Sequence, residues 1–192
     1  MSSDSIRLAS LGLGWWSDVL ADAVLRAPGV EIASCYSRSE EKRKTFAKKF
    51  NCDAANSYEE ILSDPNIDGI INTTPNNVHL ETTSQAAAAG KHVFLDKPIA
   101  NSVAEGMEIT RICKEAGVKL SIGFQRRREN QFRWINKSIQ DGIFGVLVQA
   151  EANISRDRLG TFEAGHWRYS SEGMPGGVMP VSYTHLTLPT SD

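Results

Sequence analysis

Lys97 is the residue whose setting most plainly invites chemistry. It stands in Asp96-Lys97-Pro98, directly after the run Lys91 to Leu95, which reads as a strand halted by a proline. In an open parallel sheet, ligands bind in the crevice beyond the carboxyl ends of the strands. An amine at that point faces the mouth of the crevice and can polarise or deprotonate an alcohol or carbonyl oxygen. To act as a base, its pKa must fall from about 10.4 toward roughly 7–8, through burial and nearby positive charge. Asp96 opposes that fall, because an adjacent carboxylate favours the ammonium. Its expected part is to orient Lys97 or to bind cofactor hydroxyls. A surface salt bridge is the plainer alternative.

A second group lies near the N-terminus, in Gly12-Leu13-Gly14-Trp15-Trp16-Ser17. It follows an apolar run and precedes a helical pattern, the context required of a dinucleotide phosphate loop. Gly12 permits a tight turn, and Gly14 lets the backbone come close to a pyrophosphate. The helix beginning at Trp15 and Trp16 then offers unpaired N–H groups and a positive dipole end to the anion. Ser17 occupies the place of a third small residue. An acidic residue about 20 positions past the glycines normally holds the ribose 2′-hydroxyl of NAD. Here the sequence is Tyr36-Ser37-Arg38, without a carboxylate. Ser37 can donate to a 2′-phosphate and Arg38 can pair with it or stack on adenine. The expected cofactor is therefore NADP or NAD, with NADP favoured; a solvated loop arginine is the competing reading.

These residues matter only if a sheet sets them side by side, and the pattern predicts one. Ile6 to Leu11, Val30 to Tyr36, Ile67 to Asn72, Lys91 to Leu95 and Val118 to Phe124 read as strands, bounded by turn signals. Helices are expected between them: one with Trp16, Val19, Leu20, Ala23 and Val24 on its apolar face, then Ser39 to Phe50, a short one opened by Ser57 and Glu60, Val78 to Ala89, and Ser102 to Ala116. Both Ser/Glu pairs are capping-box patterns. Strictly alternating strands and helices imply an α/β fold: a doubly wound Rossmann sheet from residue 1 to 123. A basic, aromatic helix from Arg127 to Gln140 and a strand from Val146 to Ser155 then open an α+β second domain, residues 124–179. It has too few elements to close a sheet.

In this order the motifs resemble the Gfo/Idh/MocA family of oxidoreductases, over roughly Ser5 to Met179. The resemblance implies that Gly12-Leu13-Gly14 is the nucleotide loop. It places Thr73, Thr74, Pro75, Asn76 and His79 under the two riboses, and makes Lys97 the catalytic residue of a Glu-Lys-Pro motif in which Asp96 replaces Glu. It further implies a cis bond before Pro98, Gln125 and Arg126 near the nicotinamide, and Trp167 and Arg168 as a cofactor-contacting pair. The loop Gly173-Met174-Pro175-Gly176-Gly177 resembles the one before the family's Asp-x-x-x-His signature, but the signature itself does not follow. The implied activity is NAD(P)-dependent transfer of hydride to or from a sugar, cyclitol or related polyol by a homo-oligomeric parent. A dinucleotide-binding sensor on the same fold is the alternative, and a methyltransferase-type Rossmann domain a distant third.

Residues 180–192, PVSYTHLTLPTSD, resemble the translation of a transposase-type sequencing adapter beginning CTGTCTCTTATACACATCT, one frame of which encodes Val-Ser-Tyr-Thr-His-Leu. They are expected to be non-native, so His185 carries no role and the chain is expected to be a fragment of low activity. The 192 residues are 41% hydrophobic and 23% charged with a net charge of -2, which argues against nucleic-acid or membrane capture. No transmembrane run, signal peptide or metal cluster is read, and a cytoplasmic setting is expected. Cys35, Cys52 and Cys113 are far apart in sequence and form no C-x-x-C pair. They are expected to be small, partly buried apolar side chains of a reducing cytosol.

Overall fold

The computed structural model describes residues 5–151 and 153. It divides into two compact units, Met1–Gly123 and Phe124–Asp192. The first carries six parallel strands: β1 (Ile6–Leu11), β2 (Val30–Tyr36), β3 (Asp53–Ala54), β4 (Gly69–Asn72), β5 (His92–Leu95) and β6 (Leu120–Ile122). Their order is β3-β2-β1-β4-β5-β6, the Rossmann order, which reverses direction beside β1. The interleaved helices are α1 (Trp15–Val24), α2 (Glu40–Phe50), α3 (Tyr58–Ser63), α4 (His79–Ala88) and α5 (Val103–Glu115).

Strands buried on both faces must be apolar on both sides, and adjacent residues here go to opposite cores. Ile32 and Ile71 join Leu13, Ala21, Phe46 and Phe50 under α1 and α2. Their neighbours Ala33 and Ile70 join Tyr58, Ile61, Ala86 and Ile109 under α3, α4 and α5. Each fully buried aliphatic side chain of this kind is worth about 1.5–3 kcal/mol, so the sheet is a rigid platform for the loops at its carboxyl edge.

Helix starts follow the serines. The Oγ atoms of Ser39, Ser57 and Ser102 accept the N–H groups of Lys42, Glu60 and Glu105 at 3.3, 3.1 and 3.2 Å. The capping box at Ser57 is only half built, because the Glu60 carboxylate accepts the N–H of Asn56 instead, at 2.8 Å.

The second unit shows a 3-10 turn, Gln125–Arg128, and α6 (Asn130–Gln140), with Trp134 set edge-on to Phe144 at 6.1 Å. The strand expected from Val146 does not form among the described residues. Val146 and Val148 are 89% and 94% exposed, and a strand exists only through a paired neighbour. Conversely, β3 is a strand the sequence did not announce. Trp167, Arg168, the 173–177 loop and the 180–192 tail lie outside the described residues.

Candidate active site

Three loops meet at the carboxyl edge of the sheet, after β1, β4 and β5. Gly12 ends β1 with φ 82°, a backbone region open to glycine and strained for other residues. A Cβ there would lie 2.9 Å from the Thr73 carbonyl carbon and the Thr74 nitrogen, so the β1 and β4 loops touch backbone to backbone. Thr73 makes that contact a joint: its N–H donates to the Leu11 carbonyl at 2.8 Å and its hydroxyl to the Gly12 carbonyl at 2.6 Å. The Gly12 N–H donates to the Tyr36 carbonyl at 3.0 Å, which ties in the end of β2.

Gly14 differs in kind. It precedes α1 in an extended conformation, with no side-chain cap and nothing within 4 Å of the place a Cβ would occupy. The first turn of α1 therefore opens onto free space, as a helix terminus that receives an anion must. Ser17 is buried with its hydroxyl on the Gly14 carbonyl at 2.6 Å, which suits the small-residue role expected of it. Trp15 is 77% exposed. It borders an open groove of about 400 Å³ with Gly14, Ser39, Lys42, Thr45 and Lys49. Lys49 is paired with Asp18 at 2.9 Å, and among the described residues Lys42 is the lining cation outside an ion pair, with Glu41 also on the lining. Sequence reasoning missed Ser39 and Lys42; the signal was a helix N-terminus with its capping serine directly after Arg38.

The β4 loop departs from expectation in how its polar groups are used. Thr74 sends both its N–H and its hydroxyl to the Asn72 side-chain oxygen, at 3.2 and 2.7 Å, and Asn72 donates to the Thr82 hydroxyl at 2.8 Å. His79 is 1% exposed. Its Nε2 lies 3.0 Å from the Thr74 carbonyl oxygen, and its Nδ1 lies 3.0 and 3.3 Å from those of Pro98 and Ile99. In this structure the Thr73 and Thr74 hydroxyls donate within the protein and the His79 ring lies among backbone carbonyls. The reason is that a loop over a buried sheet edge must satisfy its own backbone first. His79 lies between the β4 loop and the β5 loop, where a neutral ring can donate to a carbonyl of one of them. Pro75 is half-buried and Asn76 is buried, with its Nδ2 unpartnered.

Burial pushes the His79 pKa below its ordinary 6.5, against the upward pull of the Thr74, Ile99 and Pro98 carbonyls and of Asp96. The unfolded chain therefore binds the proton more readily than the folded one. The resulting stability is fully present above about pH 6.5 and is lost as the pH falls through that value. His79→Ala should lower stability by about 2–4 kcal/mol. In urea titrations it should also flatten the decline in midpoint between about pH 8 and about pH 5. An unchanged pH slope would show that folding does not lower the proton affinity of the ring.

Asp96 and Lys97 follow β5, with Asp96 N–H on the Asn72 carbonyl at 2.9 Å and the Lys97–Pro98 bond cis. Lys97 is half-buried. Burial pushes the Asp96 carboxyl above the usual carboxylate range; the Lys97 charge, the Lys97 backbone N–H, His79 and the Trp16 indole pull it back. Among the described residues, Trp16 Nε1 and Asp96 Oδ1 are both buried without a hydrogen-bond partner. Ser37 is half-buried, its hydroxyl donating to the Ser39 carbonyl at 3.2 Å, and Arg38 is exposed. Gln125 and Arg126 belong to the second unit, in its opening 3-10 turn. Among the described residues no cluster of three or more His, Cys, Asp or Glu could hold a metal ion, and no helix is long and apolar enough to cross a membrane.

An uncapped, unobstructed helix start after β1 in a sheet of this order defines a nucleotide-binding Rossmann domain. Residues 6–124 match the oxidoreductase family with an NAD-binding Rossmann fold, Gfo/Idh/MocA, and the chain belongs to that family. It is 31% identical over 190 residues to the scyllo-inositol 2-dehydrogenase (NADP(+)) IolW of Bacillus subtilis, covering 95% of this chain and 50% of that protein. A crystal structure from Desulfitobacterium hafniense, provisionally described as an NADPH-dependent oxidoreductase, superposes with a TM-score of 0.87 at 33% identity, covering 96% of this chain and 53% of the other. The WlbA dehydrogenase of Bordetella pertussis, solved with NADH and UDP-GlcNAcA, gives a TM-score of 0.72 at 26% identity over 76% of this chain and 42% of its own. The chain spans about half the length of the relatives it matches.

Proposed function

We propose that the whole protein is an NAD(P)-dependent dehydrogenase or reductase acting on a sugar, cyclitol or related polyol, with Lys97 as its catalytic residue. The observation that carries this reading is the joint at the carboxyl edge of the sheet, where the Thr73 hydroxyl donates to the Gly12 carbonyl and the Asp96 N–H to the Asn72 carbonyl. It draws the anion-receiving start of α1 and the end of β5 to one cleft, so a dinucleotide held by its phosphates at Gly12 and Gly14 extends toward Lys97. A bound nicotinamide supplies the hydride chemistry, and the chain supplies position and charge. The ammonium of Lys97 polarises the reacting substrate oxygen and takes or gives the proton there. His79 keeps the two flanking loops in register. The substrate class is drawn from the inositol and sugar-nucleotide relatives.

At the other end of the cofactor, Ser37 and Arg38, with Lys42 in the adjoining groove, favour NADP. The Ser37 hydroxyl must leave the Ser39 carbonyl to donate to a 2′-phosphate. Arg38→Ala should weaken NADPH binding about tenfold, equivalent to about 1.4 kcal/mol, and leave NADH within about threefold. Quenching of Trp15 and Trp16 fluorescence is the readout. Equal losses for both cofactors would remove the case for NADP. The activity is tested by screening polyols and their ketones with NADP and NADPH, using protein that carries the remaining length its relatives have. Binding of S-adenosylmethionine in place of either dinucleotide would overturn the assignment.

A further inference from the structure

Two thiols meet at the edge of the sheet, outside the loops that form the site. Cys35 is in β2 and fully buried; Cys52 is half-buried, directly before β3. The parallel pairing sets Cys35 opposite Ala54. Cys52, two residues earlier than Ala54, shares its face and is the diagonal neighbour of Cys35. Packing agrees, since Cys35 lies in the core with Phe46 and Phe50 and Cys52 packs against that same core. The nearness of Cys52, with burial, pushes the Cys35 thiol up, while Cys35 pulls Cys52 below the ordinary thiol range against the upward push of burial. Thiolate character therefore gathers on the sulfur that solvent reaches.

The geometry points to a reversible modification site: Cys35 and Cys52 form a peroxide-oxidisable pair that closes to a disulfide and, in closing, loosens the dinucleotide site beside β2. The Cys52 thiolate attacks a peroxide oxygen, the O–O bond breaks, and hydroxide leaves as water after taking a proton. The sulfenic acid so formed is attacked by the Cys35 sulfur; the S–O bond breaks, and a second water leaves with the Cys35 proton. Two thiols lose two electrons and one peroxide gains them.

A disulfide needs Cβ atoms about 3.5–4.5 Å apart, closer than diagonal neighbours in a sheet, so one strand end must shift. β3 is a two-residue edge strand. On the other side, the Cys35 thiol lies 3.7 Å from the Arg43 carbonyl. Arg43 donates to the Ser37 carbonyl at 2.7 Å and sits over the Tyr36 ring at 5.6 Å. Closure therefore pulls on the residues that lead into Ser37 and Arg38. This consequence rests on the proposed function; the thiol chemistry does not.

The reduced 192-residue chain is treated with a small excess of hydrogen peroxide, denatured, alkylated and peptide-mapped. The expected product is a Cys35–Cys52 linked peptide lighter by two hydrogens, with Cys113 alkylated. Reversal by dithiothreitol is expected, together with NADPH binding at least about fivefold weaker in the oxidised chain. Cys52→Ser should abolish both effects and Cys113→Ser should keep them. Cys52 stopping at sulfinic or sulfonic acid while Cys35 remains alkylatable overturns the pair. Complete cross-linking with unchanged NADPH affinity overturns the coupling. A reduced chain that binds no NADPH overturns the reading of the site, while the linked peptide still decides the chemistry.

Discussion

Replacing Lys97 by Met in the whole protein is expected to lower kcat by about 10²–10⁴-fold, the range for removing a positioned general acid–base group. The NADPH Kd should stay within about threefold. Methionine keeps the length of the half-buried stem and removes only the ammonium, so α1 and the loops that hold the phosphates remain in place. The two constants separate because Lys97 is assigned to the substrate oxygen and Gly14 to the cofactor. The substitution also removes the first-named influence holding the Asp96 carboxyl down against burial, so Asp96 should take up its proton at a higher pH in the variant. A variant with full turnover would move proton transfer to another group. If instead the unsubstituted protein binds NADPH tightly yet turns over no polyol or ketone, the fold serves as a dinucleotide sensor.

Much of this was legible in the sequence, and the misses share a cause. β1 and β2 have the bounds expected of them, because long apolar runs between turn residues have few other solutions. Gly12 and Gly14 were placed by their position between a strand and a helix. What a sequence conceals is how polar atoms are shared once distant loops meet. Thr73, Thr74 and His79 read as ligand contacts because their types suit riboses. In the structure the carbonyls of Gly12, Thr74 and Pro98 lie within hydrogen-bond reach of Thr73 and His79, a sharing that no motif announces. Asn72, which braces Thr74, has no motif of its own. The Thr73–Gly12 bond joins the first and fourth strands' loops and exists only after the sheet has formed. Cys35 and Cys52 are brought together by β3, two residues long, in which no periodicity can register. Local pattern determines elements; pairing across the sheet determines partners.

The two glycines after β1 give the sharpest test of that division. Gly12→Ala should destabilise the first unit by about 2–4 kcal/mol. Its φ of 82° is strained for alanine, and the new Cβ would meet backbone atoms of Thr73 and Thr74 at 2.9 Å, which cannot rotate aside. The expected fall in Tm is about 10 °C or more. Gly14→Val meets neither obstacle, since its φ of -118° is ordinary extended backbone and the space around its Cβ is empty. A small loss from the poorer helix cap, within about 1 kcal/mol, is all that folding should register. The valine would instead stand where a pyrophosphate must approach α1, and NADPH affinity should fall about 30-fold, equivalent to about 2 kcal/mol. Thermal melts and fluorescence titrations of the two variants should therefore rank in opposite order at matched occupancy of the fold. If Gly14→Val bound NADPH as tightly as the unsubstituted chain, the open space before α1 would not be the phosphate site, and the direction in which a dinucleotide runs toward Lys97 would have to be drawn anew.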